Sequence, residues 1–291
     1  MLLFFIILCS LMLCYPDSMY EYASTGLEVY LYRMIPTLFP FMVLSGIMIR
    51  CGISEKIGRF LSPVLRPIFR VRPQLIYVIL TGFVCGFPMG AKVTTQLYEE
   101  KRITQKEAEY LLAFCNNLGP VYILGYVLPA IGSNYRIIVL FGMYGIPILY
   151  GLILRYTCCR DLNPANESLQ PVETIKLFPA IQASVATAVT SILILGGYMI
   201  FFNVLLLVPR YLLHDNDLLL SPLLEISAGI SRLSHLYPEY CLMCLSFGGL
   251  CCLFQTYTCI AETDLGISKY FKHKINQTIL AALFYLILFK L

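Results

Sequence analysis

Apolar positions along this chain come in long runs rather than in alternation. Seven runs, at 2–15, 27–49, 110–130, 137–154, 181–208, 241–260 and 275–291, read as helices built to cross a bilayer, the first of them short. Two further stretches, 74–91 and 218–236, are apolar but interrupted. The polar stretch 158–176, "CCRDLNPANESLQPVETIK", holds Pro164 and Pro171 and reads as a linker between two halves.

Charge decides how the interrupted stretches run. The segment 16–26 has Asp17 and Glu21 and no Lys or Arg, which places it outside the cell. Lys56, Arg59, Arg66, Arg70 and Arg72 precede 74–91, and Lys92, Lys101, Arg102 and Lys106 follow its reversal point. Both clusters belong in the cytoplasm under the positive-inside rule. An ordinary span between them would separate them; a hairpin over 74–100 would not. About ten helical residues advance some 15 Å, half the hydrocarbon core. Gly86, Pro88 and Gly90 in "CGFPMG" then permit the return. A competing reading takes Gly82, Gly86 and Gly90 as a GxxxGxxxG packing face on one straight helix.

The same logic makes 218–237 a hairpin entering from outside, which leaves Arg155, Arg160, Lys176, Lys269, Lys272 and Lys274 all cytoplasmic. The expected fold is therefore an all-α membrane protein, with about seven transmembrane helices plus two re-entrant hairpins in two inverted-topology repeats. Residues 1–26 form an N-terminal helix and external loop. The first repeat is 27–156, with its hairpin near 74–100 and a broken helix at 110–130. The linker is 157–178. The second repeat is 179–291, with its hairpin near 218–237 and a broken helix at 241–260.

Composition supports the class. Hydrophobic residues make up 58% and charged residues 13%, about half the charged share of soluble domains. The net charge of +4 sits in short loops, so it points to membrane orientation and not to nucleic acid. Among twelve cysteines only Cys241 and Cys244 make a CxxC, with no second pair for a metal. No GxSxG, HExxH or pair of deep carboxylates marks an enzyme, and no cofactor motif or metal site is expected.

Candidate chemistry lies at the breaks. In "AFCNNLGPVYILG", Asn116 and Asn117 precede Gly119 and Pro120, so a helix should stop near 117–119 and restart at Pro120. Ser246, Gly248, Gly249 and Gln255 hold the matching places in the second half. Such half-helix ends present unpaired N–H groups that suit a carboxylate, and the side chains suit a polar solute. The plainer reading makes them interhelical hydrogen bonds. Glu225, at the second tip in "LLEISAG", is the one acid placed deep in the membrane. A carboxylate there must be neutralised, by a carried proton, by a coupled Na⁺ or by Arg232 seven residues on.

"MIPTLFPFMVLSGIM", "GFPMGAK", "EAEYLLAFCNNLGPVYILGYV", "LLEISAGI" and "SFGGLCCLFQ" resemble the YlbJ-like sporulation integral membrane proteins of the nucleoside-recognition Gate domain group. The resemblance covers most of the chain after the first helix. That group is similar to the core of concentrative nucleoside transporters, which implies a solute site near Asn116, Asn117, Glu225, Ser227, Ser246 and Gln255. Gly86, Pro88, Gly90, Gly119, Pro120, Gly229, Gly248 and Gly249 would form its tips and breaks. It also implies a bacterial inner or forespore membrane, the lipid bilayer and a small solute as partners, with a homo-oligomer open. The implied activity is transport of a nucleoside-like solute or a small aromatic dicarboxylate such as dipicolinate, in sporulation. The alternative is a non-transporting membrane scaffold that keeps the gate fold.

Overall fold

The computed structural model describes residues 2–162, 174–212 and 217–288. Much of the 157–178 linker, together with His214 and Asp215, lies outside the described residues. Among those described, every regular element is helical. Helix α1 spans Leu2–Cys14, and α2 spans Pro16–Arg50 as one helix of 35 residues. The stretch 16–26 is therefore helix, where the sequence suggested an external loop. Pro16 at the first helical position and Asp17 in the first turn open it.

Helix α3 (Ile53–Phe69) meets α4 (Pro73–Cys85) at 89°. Helix α5 is Met89–Glu99 and α6 is Gln105–Phe114. The predicted capping box opens α6, with Glu107 N–H donating to Thr104 Oγ1 at 3.3 Å and Thr104 N–H to Glu107 Oε2 at 2.9 Å. After an irregular stretch, α7 (Pro120–Ile131) and α8 (Arg136–Tyr156) follow. The second half contains α9 (Leu177–Leu212), α10 (Asp217–Leu224) and α11 (Ile226–Leu233). It ends with α12 (Pro238–Phe247), α13 (Gly249–Ile260) and α14 (Ile267–Leu288).

Three π-helical turns, at 30–34, 123–127 and 141–145, each end two residues before a proline: Pro36, Pro129 and Pro147. Proline lacks an N–H and crowds the preceding turn, and a widened turn accommodates both defects without ending the helix.

Four described helices are long and apolar enough to cross a membrane: α2, α8, α9 and the run Pro238–Ile260. Taking the bent pair α3 and α4 as one span makes five, while α1 and α7 are apolar but shorter.

Both interrupted stretches fold back on themselves. A Cβ on Gly82 would lie 2.0 Å from the Cys115 carbonyl oxygen, and one on Gly90 would lie 2.2 Å from that same atom. Eight residues along one straight helix would be about 12 Å apart, so the straight-helix reading of these glycines fails. A Cβ on Gly229 of α11 would likewise fall 2.2 Å from the Pro222 Cβ of α10.

Polar contacts tie the loops into two ends. At one end Arg102 bonds Glu55 at 3.1 Å, and Arg72 Nε bonds Glu107 Oε1 at 2.8 Å. Arg155 donates to the Arg70 carbonyl at 2.8 Å, Lys269 meets Glu109 at 2.7 Å, and Tyr98 meets Asp264 at 2.7 Å. Arg50, the last residue of α2, joins this end by accepting from Ile175 N–H at 3.0 Å. At the opposite end of α2, Tyr15 stacks on Tyr211 at 3.7 Å and Tyr22 lies under the Arg232 guanidinium at 4.6 Å. The pair α4–α5 thus leaves from and returns to the basic end. The pair α10–α11 does the same at the tyrosine-rich end, where the Tyr240 hydroxyl donates to the Leu219 carbonyl at 2.7 Å.

Candidate functional site

The two tips and the two helix breaks lie against one another in the middle of the bundle. In the first half, Gly86 has φ +83, a value that favours glycine, and a Cβ there would lie 2.4 Å from Gly119 N. Tip and break are therefore in backbone contact. Gly119 is the cap residue of α7 and Pro120 its first position, as the sequence predicted. In the second half, Glu225 separates α10 from α11, and Gly248 (φ +91) separates α12 from α13. A Cβ on Gly249 would lie 3.3 Å from the Pro222 carbonyl oxygen of α10. The halves meet where a Cβ on Gly248 would come 3.0 Å from the ring of Phe87, at the first tip.

A cavity of about 60 Å³ lies at this junction, lined among others by Phe87, Gly119, Tyr122, Glu225, Ser227 and Gln255. One water needs roughly 10–15 Å³ on this scale, so the cavity has room for a few waters and is too small for a larger solute in this conformation. Glu225, 2% exposed, is the buried acid in its wall. Its Oε2 accepts from Ala228 N–H at 2.8 Å, so the carboxylate caps α11 and faces the positive end of that helix. The Ser227 hydroxyl and the Asn203 amide of α9 also lie against it. The Tyr122 and Ser227 hydroxyls share a hydrogen bond of 3.1 Å, and the Tyr126 hydroxyl donates to the Ser227 carbonyl at 3.0 Å. Gln255 Nε2 donates to Cys251 Sγ at 3.2 Å.

The remaining sequence candidates sit nearby. Asn116 is fully buried and does not line this cavity. It accepts from Ala91 N–H at 3.3 Å and donates to Thr256 at 2.8 Å and Tyr270 at 3.3 Å, tying the first break to α5, α13 and α14. Asn117 and Ser246 line a second, adjacent space of about 10 Å³, which shares Phe87 and Leu118 with the first. Asn117 Nδ2 donates to the Phe114 carbonyl at 2.6 Å. Gly229 and Gly90 lie about one turn past the tips, where they admit the close helix contacts already described. The Phe87–Pro88 peptide at the first tip is cis.

Lys274 was placed by its sequence in a cytoplasmic loop. The structure puts it on α14, 2% exposed, against Phe87 and Asn117. Its signal was the stripe Tyr270, Lys274, Gln277, Ala281 and Tyr285, which forms the buried face of α14. Ile279, Leu283 and Ile287 point outward instead. In a helix facing lipid, the polar stripe is the one that turns inward. Asn203, Tyr122 and Tyr126 were also absent from the sequence candidates. Lys92, read as cytoplasmic, bonds the Thr187 carbonyl at 3.3 Å and the Ser191 hydroxyl on α9.

Comparison with known families now bears on the first half. Residues 31–147, from within α2 to the middle of α8, match the family described as Gate, nucleoside recognition. The matched stretch holds the first fold-back pair and the first broken helix; the second pair and the second break lie outside it. The chain is similar to the sporulation integral membrane protein YlbJ of Bacillus subtilis (strain 168), at 28% identity over 99% of this chain and 81% of that protein. It is also similar to an uncharacterized protein of Alkalihalophilus pseudofirmus, at 28% identity over 47% of this chain and 30% of that protein. No solved structure matches. With its apolar helices and this relative along nearly its whole length, the chain is a multi-pass integral membrane protein.

Proposed function

We propose that this protein carries a small polar or anionic solute across a bacterial membrane, the solute being nucleoside-like or a small aromatic dicarboxylate. In this reading, about seven transmembrane helices and two re-entrant hairpins form two repeats of inverted topology. The repeats are 27–156 and 179–291, joined by a cytoplasmic linker at 157–178.

One observation carries the reading. Two fold-back pairs that start from opposite ends of the bundle converge with two helix breaks on a small cavity lined by Glu225, Ser227 and Gln255. Irregular backbone at membrane depth is tolerated where it is buried in protein or lines a cavity. Alternating access around a fixed central site is the usual use of this arrangement. The few-water cavity is then the contracted form of the site, and the solute enters when one pair swings away. Glu225 is the point of coupling to H⁺ or Na⁺. Similarity to YlbJ extends the reading to a role in sporulation, at the inner or forespore membrane.

The test is flux in proteoliposomes loaded with uridine or pyridine-2,6-dicarboxylate. Transport of one class, lost in Glu225→Gln, supports the reading. Absence of flux for both, with a correctly folded protein, favours the non-transporting scaffold.

A further inference from the structure

We infer that α3 lies in the plane of the membrane surface and carries a groove for the phosphate of an anionic phospholipid, with Arg59 and Arg66 as its ligands. This holds whichever solute is carried.

Helix α3 turns three faces in three directions. Ser54, Gly58 and Phe69 are buried, and Gly58 packs so closely that a Cβ there would lie 2.0 Å from the Pro73 carbonyl oxygen at the start of α4. Ile53, Phe60, Val64 and Ile68 form an apolar stripe at helical spacing, yet all four are exposed, Phe60 by 82%. Arg59, Arg66 and the cap residue Arg70 take the third face. An apolar stripe beside a basic face marks a helix that rests in the interface. The 89° bend sets α3 across the fold-back pair and not along it. Glu55 of α3 meets Arg102 at 3.1 Å, so the helix belongs to the basic end. The backbone agrees with that position. Pro63 and Pro67 lie inside α3, so the carbonyls of Arg59 and Pro63 lose their helical donors. Such carbonyls are costly in hydrocarbon and are met by water at headgroup level.

An open groove of about 650 Å³ runs along the basic face, lined among others by Arg59, Ser62, Arg66, Arg70 and Arg155. No acid among the described residues lines it. The four arginines differ in what they already hold. Arg155 is buried and donates to the carbonyls of Arg70 at 2.8 Å and Leu162 at 2.7 Å, so it builds the floor. Arg70 lies over the Tyr156 ring at 4.9 Å. The Arg59 side chain is 72% exposed, and its one ion pair, to Glu55 at 3.4 Å, is of the exposed kind that adds little. The exposed Arg66 guanidinium has no hydrogen bond or ion pair among the described residues. A guanidinium matches phosphate with paired N–H donors. A free phosphate would occupy the groove and leave the apolar stripe bare. A phospholipid fills both, with its phosphate on Arg59 and Arg66 and its chains along Phe60 and Val64.

The experiment is thermal unfolding of delipidated protein in a non-ionic detergent, followed with a thiol-reactive dye. The probes are phosphatidylglycerol, phosphatidylcholine and inorganic phosphate. Each is tested against wild type, the double variant Arg59→Gln/Arg66→Gln, Phe60→Ser, and the charge-matched double variant Lys106→Gln/Lys272→Gln, whose lysines are exposed and lie outside the groove. A ligand that binds the folded state raises its melting temperature saturably. We expect phosphatidylglycerol to raise it by several degrees in wild type and in the lysine variant. The arginine variant and Phe60→Ser should lose at least half of that rise. Phosphatidylcholine and inorganic phosphate should leave wild type little changed. An equal rise with phosphatidylcholine overturns the inference, as does a rise with inorganic phosphate alone. A phosphatidylglycerol effect that survives in the arginine variant or in Phe60→Ser, or that is lost equally in the lysine variant, also overturns it. Absence of any rise with phosphatidylglycerol does the same, while the transport reading stands.

Discussion

The ring of Phe87, at the tip between α4 and α5, packs so closely on Gly248, the break between α12 and α13, that a Cβ there would lie 3.0 Å from it. This contact joins the two halves at the centre of the bundle. A movement of the first fold-back pair must therefore be felt at the break in the other half.

Gly248→Ala tests that joint. Gly248 has φ +91, where an L side chain is strained, and the added methyl meets Phe87. We expect a loss of about 1–3 kcal/mol, read as a lower melting temperature. A change to Ala at Gly125, where a Cβ would meet nothing within 4 Å, should not destabilise the protein.

Glu225 has a structural duty beside its proposed functional one. Its carboxylate caps α11 through Ala228 N–H, so Glu225→Ala should cost about 0.5–2 kcal/mol. Glu225→Gln keeps an acceptor oxygen and should cost less. Both should abolish solute-induced stabilisation if the acid belongs to the coupling site. Melting curves with and without solute separate the two effects.

Breaks and tips were legible because their chemistry is local. Asn117, Leu118, Gly119 and Pro120 spell a helix stop and restart, and Gly86 with Pro88 spells a reversal. Charge added to this, through Arg72 and Arg102 on the two flanks of the first interrupted stretch. Lys274 was not legible, because the positive-inside rule counts a lysine near a helix end without asking which face of the helix it occupies. Its neighbours on the buried stripe, Tyr270 and Gln277, carried that information. The helix at 16–26 was missed for a related reason. Asp17, Ser18 and Glu21 look like a loop, yet they suit the first turns of a helix. Asn116 shows the limit of reading a site from residue type. Its partners Thr256 and Tyr270 come from more than a hundred residues away.

The pair Arg72–Glu107 anchors the start of α4 to the start of α6, with both side chains largely buried. Arg72→Met leaves a buried carboxylate unpaired and should destabilise by about 3–5 kcal/mol. Adding Glu107→Gln removes that charge and keeps the capping box with Thr104, so the double variant should recover much of the loss. The check is a double-mutant comparison of melting temperatures in detergent.

The central claim is that each fold-back pair enters and leaves the membrane on one side, and that the two pairs do so from opposite sides. Single cysteines introduced into a cysteine-free background test it directly. The positions are Arg59 and Gln105, flanking the first pair, and Tyr20 and His235, beside the second; all four are exposed. They are probed with a membrane-impermeant maleimide in right-side-out and inside-out vesicles. Arg59→Cys and Gln105→Cys should both react only from the cytoplasmic side, and Tyr20→Cys and His235→Cys only from the other. Reaction of Arg59→Cys and Gln105→Cys from opposite sides would contradict the account.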